Sequence, residues 1–529
     1  MTTRQLLSGN EAVAAAALDA GVLLGTGYPG TPSTEILETL AEIGGRAQWA
    51  PNEKVALEVA LGSAFGGART LCTMKHVGVN VAADALFTAA YTGVTGALVL
   101  VSADDPGMAS SQNEQDNRRY AESAGVPMLE PADSQEAYDL AAEAIEISER
   151  WSTPVILRLT TRICHSKTVV NRRKLPQAAE APNYRRDIKQ RVMIPAYARP
   201  AHRRLREKLA DIAQWNEASG LNVITDGDKS LGIIASGVAF AHAREAAPEA
   251  RLLKLTLTWP LPLATLDAFA NSVDRCVVIE EGDPFVENAL RAAGIYVEGK
   301  PQMYRFGELN VDRVRRILAG DTSEEPAPAK GRPPQLCQGC PHRMAFETLR
   351  DLGCIVTGDI GCYTLGVLPP FEAIDTCVCM GASIGVGLGL RHVLPDDQAR
   401  KVVSVIGDST FVHSGITGLV EMAYNPPATG HVVVILDNDT TAMTGLQEHP
   451  GTGRHLDYSP ARKLSFEALA EAIGLDHVEV FDPRKGGEAF KAAVESALAG
   501  GKLSLLIVRS PCILSAKKQK QLAAAKGDE

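Results

Sequence analysis

No stretch of this 529-residue chain approaches the roughly 18 consecutive apolar residues that a membrane-spanning helix needs. The opening MTTRQLLSGNEAV also lacks the basic-then-apolar layout of a secretory signal, so a cytoplasmic protein without a membrane partner is expected. Positive charge is in deficit: 53 lysines and arginines face 63 aspartates and glutamates, a formal net charge of −10, which works against a nucleic-acid partner. Cysteine is nearly missing from the first 336 residues, which hold only Cys72, Cys164 and Cys276. Cys337, Cys340, Cys354, Cys362, Cys377, Cys379 and Cys512 all fall in the remainder. In a reducing compartment such thiols are free or bind metal rather than form disulfides, so any cluster chemistry belongs near the C-terminus. Short repeats are missing as well.

Apolar residues are not scarce. They make up 45% of the chain, enough for several cores at this length. Residues 1–170 alternate apolar runs at 21–25, 70–74, 97–102 and 154–159 with alanine-rich helical patterns, which reads as a parallel sheet covered on both faces. The arginine-rich stretch 171–220 reads as a surface linker. In 221–320, NVITDG and SLGIIASG look like paired strands, LLKLTLTWPLP a third and RCVVIEEGD a fourth, before the helical PFVENALRAAG. A second linker, 321–335, contains SEEPAPAKGRPPQ and cannot form a core. Residues 336–529 carry the strands CIVTGD, KVVSVIGD, HVVVILDND and LSLLIVRS. The expected fold is multi-domain α/β, with two similar parallel-sheet domains flanking a smaller α/β domain.

The strongest chemical signal is Gly407-Asp408-Ser409, followed after 27 residues by Asp437-Asn438-Asp439-Thr440. Each follows a β-rich apolar run, so the two turns should lie together at the carboxyl edge of adjacent parallel strands, where ligands bind. The Asp408 carboxylate, the Asn438 side-chain carbonyl and a backbone carbonyl near Thr440 are oxygen donors of the kind magnesium takes, with phosphate oxygens and water completing the octahedron. Alone, a Gly-Asp after a strand is usually a turn; the second element points to a diphosphate. Backbone N–H groups in HSGITGLVEMAY and around Gly445 would add an anion cradle, although simple turn geometry also accounts for those glycines.

Glu53 follows WAPN, with Asn52 as its N-cap, and opens a nearly all-apolar helix. It could complement the helix dipole or serve as an acid held in a dry pocket. Thr31-Pro32 reads as an N-cap followed by a first-turn proline, a cradle suited to a carboxylate. Lys75 and His76 follow the strand TLCTM without an assignable step, while His342, His413 and His449 are set aside as structural. Cys337-Gln-Gly-Cys340, Cys362 and Cys512 could hold a [4Fe–4S] cluster or zinc, or remain free thiols.

GYPGTPSTE, PNEKVALEVALGSAFGGART and MKHVGVNVAADAL, in this order, resemble the pyrimidine-binding domain of the 2-oxoacid oxidoreductases. The GDS…DNDT pair resembles the GDG…NN signature of the thiamine diphosphate (ThDP) fold, with Ser409 and Asp437 as departures. Over essentially its whole length the chain resembles the indolepyruvate:ferredoxin oxidoreductase family. That resemblance implies two ThDP-binding domains around a transketolase C-terminal-like domain, and oxidative decarboxylation of arylpyruvates to acyl-CoA and carbon dioxide. It implies ThDP held by Glu53, Gly407, Asp408, Ser409, Asn438, Thr440 and Gly445, magnesium on Asp408, Asn438 and Thr440, and one [4Fe–4S] cluster on Cys337, Cys340, Cys362 and Cys512. Glu53 takes the activating position, with Glu58 as competitor. Thr31 and Arg118 would hold the substrate carboxylate; Arg119 is second to Arg118, and either could instead be a surface charge. The implied partners are a small β subunit, a second copy in an α2β2 assembly whose site spans two copies, coenzyme A, and ferredoxin or another acceptor. One departure is the lack of the usual C-terminal ferredoxin-like module, which leaves the acceptor open. The rival readings are a non-oxidative ThDP decarboxylase and a structural subunit without chemistry.

Overall fold

Short β-branched runs between alanine-rich helices form parallel strands because both faces of each strand can then be buried. The computed structural model describes residues 3–178, 181–326 and 334–527, and the chain divides into two compact units, residues 1–326 and 327–529.

In the first unit a seven-stranded sheet runs in the order Leu257–Trp259, Met128–Leu129, Val155–Thr160, Ala97–Asp104, Arg69–Lys75, Leu24–Gly27, Ala47–Trp49. All are parallel except the edge strand Leu257–Trp259. Gly27 stands beside both Trp49 and Thr73, so three strands end together at one edge. The first strand begins later than the apolar run at 21–25 suggests, because Gly21, at φ +70°, still belongs to the turn closing the preceding helix.

The stretch 171–220 is not a linker throughout. Lys167–Arg172 pairs antiparallel with Thr3–Ser8, and helix Pro195–Asn216 places Leu205 and Leu209 in the first core. Its arginines conceal an apolar stripe at helical spacing. The second sheet has the order Cys276–Ile279, Asp228–Ser236, Ala250–Leu255, Val223–Thr225. Val223–Thr225 pairs antiparallel with Ala250–Leu255, and the expected pairing with Asp228–Ser236 does not form, because that strand already has parallel neighbours on both sides. The run LLKLTLTW divides after Leu255, and Leu257–Trp259 crosses to the first sheet. That shared strand is one reason 221–320 has its own sheet yet forms no compact unit of its own.

The second unit is a five-stranded, all-parallel sheet: Ile355–Thr357, Val402–Gly407, His431–Asp437, Leu503–Arg509, His477–Phe481. Val403, Val405 and Val434 face one core, Ile406, Val433 and Ile435 the other. The expected linker 321–335 lies partly outside the described residues, at 327–333. Among the described residues no helix is long and apolar enough to cross a membrane.

Candidate functional site

In the second unit Gly407 pairs in register with Leu436, so Asp408 and Asp437-Asn438 leave adjacent strands at the same edge, as their spacing predicts. Asp408 is buried; its Oδ1 accepts the Ser409 N–H at 2.9 Å and its Oδ2 lies 3.2 Å from His449 Nε2. Ser409 Oγ and Thr441 Oγ1, 2.7 Å apart, tie the two turns together. Asn438 is also buried, its Oδ1 accepting the Thr440 N–H at 3.2 Å. Burial pushes the Asp408 carboxyl up, but His449 and the Ser409 N–H outweigh it and leave it lowered. Asp437 goes the other way, pushed up to about 6 by burial and by Asp408, with Arg509 Nε donating to it at 2.6 Å. Asp437 is engaged by Arg509, which leaves Asp408, the carboxyl held lower, as the one whose carboxylate suits a divalent cation. Asp439 turns aside to Arg454 and Lys463. Helical backbone begins at Asp408 itself, and Gly445, at φ +125°, fills a position where a Cβ would fall 2.7 Å from Gln447 Nε2.

His342 was passed over as a satisfied core residue, and it is not one. It is buried, neither ring nitrogen has a partner among the described residues, and its ring meets Tyr363 edge to face at 6.2 Å. Burial pushes its imidazole down to about 4, with the Asp408 charge opposing only in part. An unsatisfied imidazole is costly unless something else completes it. Together with the oxygens of Asp408 and Asn438, it fits a diphosphate carried with a divalent cation. The one sequence signal was its place in PHR, directly after the CxxC. Asp359, likewise missed, accepts the N–H groups of Ile360, Gly381 and Ser383 at 2.8, 2.9 and 3.0 Å and so orders the entry to helix Ala382–Val393.

The four singled-out cysteines share a neighbourhood. Cys340 N–H bonds Cys337 O at 3.0 Å, and Cys512 N–H bonds Asn438 O at 2.8 Å. The Cys362 thiol is pushed up to about 11 by burial and by Cys512, Cys340 and Cys337; Cys340 is raised by burial, with Cys337 and Cys512 adding to it. They do not close into a ligand set: among the described residues no three Cys, His, Asp or Glu side chains converge to hold a metal ion.

In the first unit Asn52 caps as expected, its side chain accepting the Val55 N–H at 2.9 Å, and Glu53 is 5% exposed. The Glu53 carboxyl seats against Gly78, where an added Cβ would fall 2.7 Å from Oε1. Glu58, by contrast, is exposed and paired with Lys54. Thr31 is not an N-cap. The turn closes on itself, Ser33 N–H to Gly30 O at 2.8 Å and Gly30 N–H to Thr34 Oγ1 at 3.0 Å, and the helix starts only at Thr34.

Arg118 is neither a surface charge nor a residue with donors turned to a substrate. It is fully buried, bonded to Asp116 at 2.6 Å, Glu280 at 2.5 Å and the carbonyls of Glu281 and Asp283 at 2.6 and 2.9 Å. These carboxylates and carbonyls, most of them distant in sequence, draw it inward and join the two sheets of the unit. Arg119 is largely exposed and meets Glu122 at 3.3 Å. Lys75 is buried, its Nζ donating to Ser110 O at 2.6 Å. His76 Nε2 lies 3.2 Å from both Asn113 O and Oδ1.

Residues 15–214 match the pyruvate flavodoxin/ferredoxin oxidoreductase, thiamine diphosphate-binding family, and residues 359–508 the thiamine pyrophosphate enzyme, C-terminal TPP-binding domain. The chain is 41% identical over 544 residues to indolepyruvate oxidoreductase subunit IorA of Archaeoglobus fulgidus, covering 96% of this chain and 86% of that protein. It is 39% identical over 549 residues to the subunit of that name from Methanothermobacter thermautotrophicus, covering 96% and 87%. The 2-oxoglutarate:ferredoxin oxidoreductase from Magnetococcus marinus shares the fold at TM-score 0.52 and 17% identity, over 60% of this chain and 65% of that one. With a turn pair fit for a diphosphate and relatives of this identity over nearly its whole length, the chain belongs to the IorA family of indolepyruvate oxidoreductase subunits, among the ThDP-dependent 2-oxoacid oxidoreductases.

Proposed function

We propose that this chain is the cofactor-carrying subunit of an enzyme that oxidatively decarboxylates arylpyruvates of the indolepyruvate class to aryl-acetyl-CoA and carbon dioxide. The observation that carries the reading is the pair of buried turns, Asp408 and Asn438, at one sheet edge, with a buried His342 whose ring nitrogens have no partner among the described residues. Asp408, Asn438 and the Thr440 carbonyl would hold magnesium, and Gly407, Ser409 and Gly445 the diphosphate. Bound ThDP supplies a nucleophilic carbon and an electron sink. Glu53, buried at the start of its helix, would hydrogen-bond the aminopyrimidine, and Thr31 would meet the substrate. Cys337, Cys340, Cys362 and Cys512 would close around one [4Fe–4S] cluster that passes electrons to ferredoxin or another acceptor. A small β subunit completes an α2β2 enzyme in the cytoplasm, with coenzyme A as the acyl acceptor.

The test is anaerobic co-purification with the small subunit, then assay of arylpyruvates with coenzyme A and several acceptors. Glu53→Gln is expected to lower kcat by at least about 100-fold while far-UV circular dichroism stays unchanged; retained turnover rejects the assignment. Aldehyde release without iron or acid-labile sulfide would instead identify a non-oxidative decarboxylase.

A further inference from the structure

We propose that Lys75 supplies the positive charge that receives the substrate carboxylate, the place expected for Arg118; this rests on the 2-oxo acid reading above. Lys75 ends strand Arg69–Lys75, which lies in register beside Leu24–Gly27, so the Gly30-Thr31 turn and Lys75 emerge at the same sheet edge. A Cβ added at Gly30 would fall 3.0 Å from Lys75 Cβ and 3.8 Å from its Cδ, which places the lysine stem directly against that turn. Lys75 is also the residue before helix His76–Thr92, whose Gly78 seats the Glu53 carboxyl. The Gly30-Thr31 turn, Glu53 and Lys75 thus gather at one edge from three adjacent strands.

The ammonium is under-supplied with partners. An ammonium carries three donors, and the Ser110 carbonyl takes one. Among the described residues no carboxylate lies within ion-pair distance of it, and the side chain is 9% exposed. The nearest candidate, Asp105, is committed to the Ser110 N–H at 2.9 Å, the Ser111 hydroxyl and the Thr161 hydroxyl at 2.8 Å. Burial pushes Lys75 down to about 8, with Asp105 opposing only in part, as befits a buried cation short of a counter-charge. The free N–H groups of the helix that follows add positive potential on the same side. Arg118, with four oxygen partners already in place, has little left to offer an incoming anion.

The experiment uses the assembled holoenzyme with three probes: phenylpyruvate, its neutral methyl ester, and the unreactive carboxylate 3-phenylpropionate. Lys75→Met keeps the stem and removes the charge. It is expected to weaken 3-phenylpropionate binding, read by calorimetry, and to raise the phenylpyruvate KM, each by about 30-fold. The ester and ThDP affinity should change by less than about 2-fold, and Lys75→Arg should recover most of the loss. Unchanged carboxylate affinity in Lys75→Met, or equal losses for acid and ester, would overturn the assignment. Should Lys75→Met not fold, Lys75→Gln is read by the same criteria. If the wild type turns over a different class of 2-oxo acid and Lys75→Met weakens that acid, the arylpyruvate reading fails and the lysine assignment stands. If arylpyruvates are turned over with undiminished affinity in the variant, the lysine assignment alone fails.

Discussion

Single side chains divide sharply by whether their neighbours are near in sequence. Asn52 and Glu53 were legible because an N-cap needs only the backbone three residues on, and a buried first-turn carboxylate follows from the apolar helix behind it. Gly78 was not, since only the packing of one helix on another shows that its missing Cβ makes room for Glu53. Glu281 is a second such case. It is buried, its Oε1 accepts the Leu309 N–H at 2.9 Å, Oε2 has no partner among the described residues, and burial pushes it up to about 7 from its ordinary 4.5. The folded state therefore holds a proton that the unfolded state has released between about pH 4.5 and 7. Stability falls as pH rises through that window, and the deficit is complete above it. Glu281→Gln removes the charged form, so it is expected to stabilise the protein by on the order of 2 kcal/mol at pH 8 and by little at pH 4.5. Urea midpoints at the two pH values check this; an equal shift at both would refute the assignment.

At the level of elements, apolar strands could be read from composition, whereas their partners could not. KVVSVI and HVVVIL became neighbours because each is a continuous apolar run that must be covered on both faces. Val223–Thr225 went to a different partner than adjacency suggests, and helix Pro195–Asn216 was hidden by its own arginines. Helix Arg118–Ala124 shows what holds two sheets in one unit. Its Arg118 reaches Asp116 and Glu280, while Arg158 on a central strand bonds Asp104 and Glu130, both at 2.7 Å. Removing one member strands buried charge of the other sign, so Arg118→Met is expected to destabilise by about 3–5 kcal/mol in denaturant unfolding. With Lys75 intact, the preference of the folded fraction for phenylpyruvate over its ester should survive. A selective loss of carboxylate affinity at unchanged stability would return the substrate role to Arg118.

For the molecule as a whole, ligand linkage is the most direct reading of the second unit. A ligand bound only by the folded state stabilises it by about 2.7 kcal/mol at 100 times its Kd. ThDP with magnesium should therefore raise the thermal midpoint by several degrees, EDTA should cancel the shift, and Asp408→Ala should prevent it. A full shift in that variant would place the cation elsewhere. By itself the sequence determined the α/β class, the two acidic turns and the cap before Glu53, because each depends on local periodicity or on residues a few positions apart. Only the tertiary structure decided which charges are spent inside and which remain for a ligand. Arg118 is neutralised by Glu280, 162 residues away, while Lys75 and His342 are buried with polar groups unmatched among the described residues. Burial and charge pairing are properties of the packed chain, and no stretch of sequence carries them alone.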